Sequence, residues 1–213
     1  MKVHDISLTI QPGMATYPGV PQPTFSPVDN VGEENSFRST MITLHTHMGT
    51  HVDSPAHLLK EGVTIDKVDL SQLCGKALVL EVTSEDHLSE VAFQKYHKQY
   101  DLTNKVILLK TGEGKYLKQG IFREEFLTPS KGAVELMVSL DIKAIGLDTL
   151  SVDSYTSGVV DNHPILFKAG IPVVEGLFLD EVSEGEYFCC ILPLKLGSLD
   201  GSPARAVLIE DFS

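Results

Sequence analysis

The chain has 213 residues and a formal charge of -12, which argues against nucleic acid or an anionic membrane as partner, because neither polyanion is attracted to such a surface. That length suits one α/β domain burying roughly 70% of its unfolded surface. Cys74, Cys189 and Cys190 are odd in number and set in apolar segments, so they read as buried hydrophobes and not as a disulfide framework. No apolar run approaches about 18 residues and Met1 to Ile10 alternates polar with apolar, so neither a membrane span nor a leader is expected; the predicted setting is cytoplasmic and the predicted partner a small molecule.

Asp5 to Ile10 reads as a strand. From about residue 11 to 27 the prolines at 12, 18, 21, 23 and 27 oppose regular pairing and predict an extended arm with a turn at Tyr17-Pro18-Gly19. Such an arm is either a surface loop or the cover of a substrate pocket. Tyr17, Phe25 and Phe37 are the candidates for gripping a substrate. Phe37 to Thr46 alternates as a strand, with Ile42 and Leu44 on one face and Met41, Thr43 and His45 on the other. This strand delivers His47, and His45 is either an extra ligand or a satisfied strand histidine.

The stretch His47-Met48-Gly49-Thr50-His51-Val52-Asp53-Ser54-Pro55-Ala56-His57 then places three imidazoles and a carboxylate within eleven residues. Zn²⁺, Mn²⁺ or Fe²⁺ accepts such nitrogen and oxygen donors, and no thiolate is near to close a structural zinc site, so an open position is expected. In a flat strand His47 and His51 would stand about 13 Å apart at roughly 3.3 Å per residue, too far to share an ion. The chain must turn between them, and Gly49 supplies the freedom to do so. Extended backbone after His51 returns Asp53 to the same side as a third ligand. His57, beyond Pro55, is placed over the metal as a proton shuttle. The bland alternative is a polar loop with solvent-facing histidines.

Lys76 to Val82 is the next strand. Ser89 to Tyr100 predicts a helix capped by Ser89 or Asp86, with Val91, Phe93 and Tyr96 toward the core and His87 and His97 in solvent. Val106 to Lys110 is a buried strand, Thr128-Pro129 the cap and first turn of a helix reaching about Leu140, and Ala144 to Leu147 another strand. The alternation of helix with strand predicts α/β or mixed topology instead of an all-β barrel. Asp148 and Asp153 follow that strand, as supports of a site or as turn caps. Asp161-Asn162-His163-Pro164 opens a helix that stops at Gly170. Glu175 ends the apolar run Ile171 to Val174, a costly place for a carboxylate unless it is paired or metal-bound. His163 and Glu175 are therefore a second candidate pair of ligands, with a helix-cap histidine and a surface glutamate as the alternative. Phe188 to Pro193 and Ala206 to Glu210 are the last strands.

His47 to His57 resembles, at every fixed position, the H-x-G-T-H-x-D-x-P-x-H signature of the cyclase-like metal hydrolases, which include bacterial kynurenine formamidases and isatin hydrolases. The resemblance continues through Asp5-Ile6-Ser7, Gly146 to Asp153, Val174 to Leu177, Leu192 to Lys195 and Ser198 to Arg205. It implies a swivelling β/β/α fold and a homodimer whose partner subunit helps cover the pocket. It also implies two metal ions, one on His47, His51 and Asp53 and the other on a bridging Asp53 with His163 and Glu175; similarity to isatin hydrolases implies one. Two positions depart from kynurenine formamidases: the arm reads Tyr17-Pro18-Gly19-Val20 where they carry a Trp before Pro-Gly-Asp, and Asn162 replaces a histidine.

A divalent ion, Zn²⁺ first and Mn²⁺ second, lowers the pKa of water and polarises a carbonyl, and His57 is suited to take the water proton and return it to a leaving nitrogen. The expected activity is arylformamidase-type hydrolysis of N-formylkynurenine. Hydrolysis of a cyclic amide, imide or lactone is the second reading, and a non-catalytic protein stabilised by its metal the third.

Overall fold

Most of the apolar runs become strands of one mixed sheet in a computed structural model that describes residues 1–31 and 37–210. The strands are β1 (Lys2–Asp5), β2 (Thr24–Asp29), β3 (Ser39–Thr43), β4 (His51–Asp53), β5 (Cys74–Glu81), β6 (Val106–Lys110), β7 (Ala144–Leu147), β8 (Val173–Glu175), β9 (Gly185–Pro193) and β10 (Gly201–Glu210). Helices α1 (Glu90–Tyr100), α2 (Gly114–Lys118), α3 (Lys131–Ser139) and α4 (Asn162–Lys168) fall in the crossovers of the parallel run β5-β6-β7-β8. The expected mixed α/β topology is therefore present. The sheet also closes: β8 pairs with β4, β4 with β10, and β9 joins β10 back to β5, making a seven-stranded barrel with β1 added along β10.

Alternate residues of the central strands face different cores. Ala77, Val79, Val106, Leu108 and Val174 pack with Ile191 and Leu208 inside the barrel. Leu78, Leu80, Ile107, Leu109 and Val173 face outward to Phe93, Met137 and Phe167 of the helices. Burial on both faces is the reason these strands read as continuous apolar runs.

Several boundaries move, each for a local reason. The first strand is Lys2–Asp5 instead of Asp5 to Ile10, because beyond it the chain bonds to other elements: Leu8 N–H donates to Thr50 Oγ1 at 2.8 Å and Phe178 N–H to Ile6 O at 2.9 Å. The proline arm does pair at its end, where β2 and β3 form a separate two-stranded ribbon; Pro27 is tolerated there beside a register shift. β3 stops at Thr43, so His47 is reached through irregular chain. Ser130, not Thr128, caps α3, accepting the Ala133 N–H at 3.2 Å. Ser89 does cap α1, but Val91 is 59% exposed, and His97 is engaged, its Nδ1 accepting the Leu102 N–H at 3.2 Å. Among the described residues no helix is long and apolar enough to cross a membrane, and the three cysteines are free.

Candidate metal centre

β4 carries the centre because it is hydrogen-bonded on both edges. On one side His51 pairs with Glu175 of β8, and on the other Asp53 pairs with Gly201 of β10. The turn expected at Gly49 is present with φ +62°, a left-handed conformation that costs glycine little, and it brings the rings of His47 and His51 to 5.3 Å. His47 Nδ1 lies 2.5 Å and His51 Nε2 3.3 Å from Asp53 Oδ1. His163, from α4, places Nε2 3.4 Å from Asp53 Oδ2 and 3.2 Å from Glu175 Oε1. Asp53 thus turns one oxygen to each group of imidazoles, and the four predicted ligands His47, His51, His163 and Glu175 surround it.

The outer hydrogen bonds orient the rings. His51 Nδ1–H donates to Gly49 O at 2.9 Å, and His163 Nδ1–H to Asp153 Oδ2 at 2.6 Å. Those oxygens only accept, so each neutral ring carries its lone pair on Nε2. Both Nε2 atoms are buried without a hydrogen-bond partner. Such orphaned nitrogens are costly unless a ligand meets them, and their convergence on two buried carboxylates is the donor set a divalent ion takes. His51, Asp53 and Glu175 offer atoms within 4.8 Å of one another, as do His47, Asp53 and His57.

Burial opposes charge throughout the cluster, yet the groups hold one another ionised. Against burial, the negative charges of Asp53 and Glu175 beside it push His51 up to about 10. Burial is likewise outweighed at His163, raised well above its usual range by Asp153, Asp53 and Glu175, and at Asp53, held well below the carboxylate range by His51, His163 and His47. In metal-free protein, protons supply the positive charge that the carboxylates require. Zn²⁺ uptake at pH 7 is therefore expected to displace on the order of two protons. Titration calorimetry in buffers of different ionisation enthalpy measures this, and uptake without proton release would place the ion elsewhere.

His57 ends a single 3₁₀ turn, Pro55–His57, with its ring 4.1 Å from that of His47 and 5.9 Å from that of His163. Above these groups opens a cavity of about 360 Å³ whose walls include Tyr17, Leu150, Tyr155, Val159 and Val160. Tyr17 meets Tyr155 edge-on at 5.5 Å and Phe122 at 5.8 Å, and of the arm it is Tyr17 and Val20 that line the cavity. Phe25 and Phe37 are not brought there: they are 41% and 57% exposed, Phe25 on the β2–β3 ribbon and Phe37 just before β3. His45 lines the rim, but its Nδ1 accepts the His47 N–H at 3.2 Å and it joins neither group of ligand atoms.

The two strand-end aspartates separate. Asp148 is a loop clip, accepting from Thr111 N–H, Thr111 Oγ–H and Gly112 N–H. Asp153 supports the centre: besides the His163 ring it accepts the backbone N–H of Asp161, Asn162 and His163 and so anchors the start of α4, a task Asp161 does not perform. Asn162 is buried, donating to Pro129 O and Val152 O, and lies outside the pocket wall. Sequence reasoning missed Tyr155 and Asp200. Asp200 Oδ2 stands 2.7 Å from His47 Nε2; its signals are that it falls in the stretch Ser198 to Arg205 that resembles the family and that it is a carboxylate before Gly201, which by itself reads as an ordinary turn.

Fold and site together define a closed α/β barrel with a histidine–carboxylate centre under an aromatic-rimmed pocket. The chain belongs to the cyclase family, matching the family described as "Putative cyclase" over residues 4–154. It is 31% identical to a kynurenine formamidase of Delftia acidovorans (strain DSM 14801 / SPH-1) over 207 residues, 97% of each chain. A solved structure described as a potential metal-dependent hydrolase with cyclase activity superposes with a TM-score of 0.82 at 29% identity, covering 97% of this chain and 96% of that one. An isatin hydrolase bound to the product analogue thioisatinate shares the fold, with a TM-score of 0.86 at 19% identity over 97% of this chain and 91% of that one.

Proposed function

We propose that this chain is a single-domain, metal-dependent hydrolase of a small-molecule amide, of the arylformamidase type, converting N-formylkynurenine and water to kynurenine and formate. The observation that carries the reading is the convergence of the orphaned His51 and His163 Nε2 atoms on Asp53 and Glu175, directly beneath a cavity that His57 also lines. His47, His51 and Asp53 would hold one ion, and Asp53, His163 and Glu175 a second, Zn²⁺ being the first choice and Mn²⁺ the next. A divalent ion there supplies Lewis acidity, activating water near neutral pH and polarising the amide carbonyl.

The protein's own groups do the rest. His57 takes a proton from the attacking water and returns it to the leaving nitrogen, which is a poor leaving group unprotonated. Tyr17 and Tyr155 form an aromatic wall suited to an aryl ring. Tyr17, where the resemblance leads one to expect Trp, supports keeping cyclic amides and lactones as the second substrate class.

The test is the initial rate on N-formylkynurenine, with Zn²⁺-replete protein and with the same sample stripped by a chelator. High, metal-dependent turnover is expected. Negligible turnover by protein that still holds its metal would move the assignment to the cyclic substrates, to be assayed next with isatin.

A homodimer is part of the same proposal. The β2–β3 ribbon is only two strands and leaves Phe25, Met41 and Ile42 at 41%, 63% and 55% exposure, an apolar surface that such a ribbon does not stabilise alone. Sedimentation velocity is expected to give twice the chain mass; a monomer at micromolar concentration would exclude it.

A further inference from the structure

We propose that Asp200 is a positioning residue that steers two imidazoles of the centre at once, His47 through its Nε2–H and His57 through its Nδ1–H. The inference rests on the reading of the centre given above.

Asp200 Oδ2 lies 2.7 Å from His47 Nε2 and 3.5 Å from His57 Nδ1, and the two rings lean together with centroids 4.1 Å apart. A carboxylate only accepts, so the nitrogens facing it are the ones that carry protons. That choice has a separate consequence for each ring. His47 Nδ1 faces a carboxylate as well, Asp53 Oδ1 at 2.5 Å, so both ring nitrogens carry protons without a metal; the Asp200 contact keeps the one on Nε2, and Nδ1 is the nitrogen left to give its proton up to an ion that Asp53 would also hold. At His57 the contact is a charge–dipole one at 3.5 Å and not a hydrogen bond, and the carboxylate's charge favours the proton on the facing Nδ1, leaving Nε2 with the lone pair that a general base needs. One carboxylate thereby sets the tautomer of a ligand and of the base, as the outer partners of metal-bound and catalytic histidines do.

The backbone fixes Asp200 for this task. Its carbonyl accepts both the Ser54 N–H at 3.0 Å and the Ser54 Oγ–H at 2.9 Å, and Ser54 O in turn accepts the His57 N–H at 2.9 Å. The next residue, Gly201, pairs with Asp53, so one ladder carries the carboxylates of residues 53 and 200 to opposite nitrogens of His47. A Cβ at Gly201 would lie 2.9 Å from His47 Cε1, so the missing side chain is what gives the ring its place beside Asp200. Packing does not require the Asp200 carboxylate, whose side chain is 40% exposed.

The experiment uses Asp200→Ala, alone and combined with His57→Ala. Competition for Zn²⁺ against a chelating dye is expected to show a dissociation constant raised about 10–100-fold. At saturating Zn²⁺, kcat on the amide substrate is expected to fall about 10²-fold with KM unchanged, and this fall should disappear when His57 is already alanine, because Asp200 acts through His57. Unchanged Zn²⁺ affinity would overturn the His47 half of the proposal, and an equal loss of kcat in both backgrounds the His57 half. The dye competition needs no substrate, so it still reads Asp200 if the assigned amide proves wrong. Should the alanine variant not fold, Asp200→Leu keeps the bulk while removing the acceptor, and the same two measurements apply.

Discussion

Asp53→Asn is expected to leave the protein unable to retain metal and to lower kcat/KM by about 10³-fold or more, several kcal/mol of lost carbonyl and water activation. Asp53 is 1% exposed and sits where the two groups of imidazoles meet, its Oδ1 toward His47 and His51 and its Oδ2 toward His163. No other carboxylate in the cluster faces all three rings. Glu175 reaches only His51 and His163, and Asp200 only His47 and His57. An amide of the same shape preserves the packing and removes the charge. Metal content after dialysis, measured by elemental analysis alongside kcat/KM, decides the matter; full stoichiometry in Asp53→Asn would contradict the bridging role.

His57→Ala is expected to lower kcat by about 10²–10⁴ while metal content stays near that of the wild type. The structure makes the second half of that statement a real test, because His57 lies within ligand reach of His47 and Asp53. A ligand would take metal with it when removed; a base would not. Burial is the main influence on the His57 ring, and it carries the pKa below the usual 6.5 despite the Asp53 charge. Its conjugate base is therefore the prevailing form at pH 7. Since the base must be unprotonated to act, kcat should rise with pH along an acid limb centred below 6.5, and that limb should vanish in the alanine variant. Full activity in His57→Ala would remove it from the mechanism.

How much of this was legible in the sequence follows from distance along the chain. Residues 47 to 57 are close neighbours, so a glycine turn, a return to extended backbone and one proline suffice to bring His47, His51, Asp53 and His57 together wherever the segment lies. The apolar runs of β5 to β8 also announce themselves, because burial on both faces writes a continuous signal. Spacing nominates His163 and Glu175 only as residues, and the resemblance groups them with Asp53; in the fold the pairing of β4 with β8 brings Glu175 beside His51, and α4 brings His163 to Asp53.

Tertiary structure alone decided the rest. Asp148 and Asp153 follow the same strand and read alike, but packing gives one to the Thr111 loop and the other to His163. Phe25 and Tyr17 belong to one proline-rich stretch, but only Tyr17 docks on Tyr155 and Phe122. Asp200 reaches His47 from 153 residues away, through the ladder of β10 on β4. The same kind of long-range pairing, β9 with both β5 and β10, closes the sheet into a barrel. Local spacing and hydrophobic period determine which side chains neighbour one another within a turn or a strand. Which distant strands pair, and so which distant side chains share a site, depends on how whole apolar faces find a common core, and no single stretch of sequence contains that information.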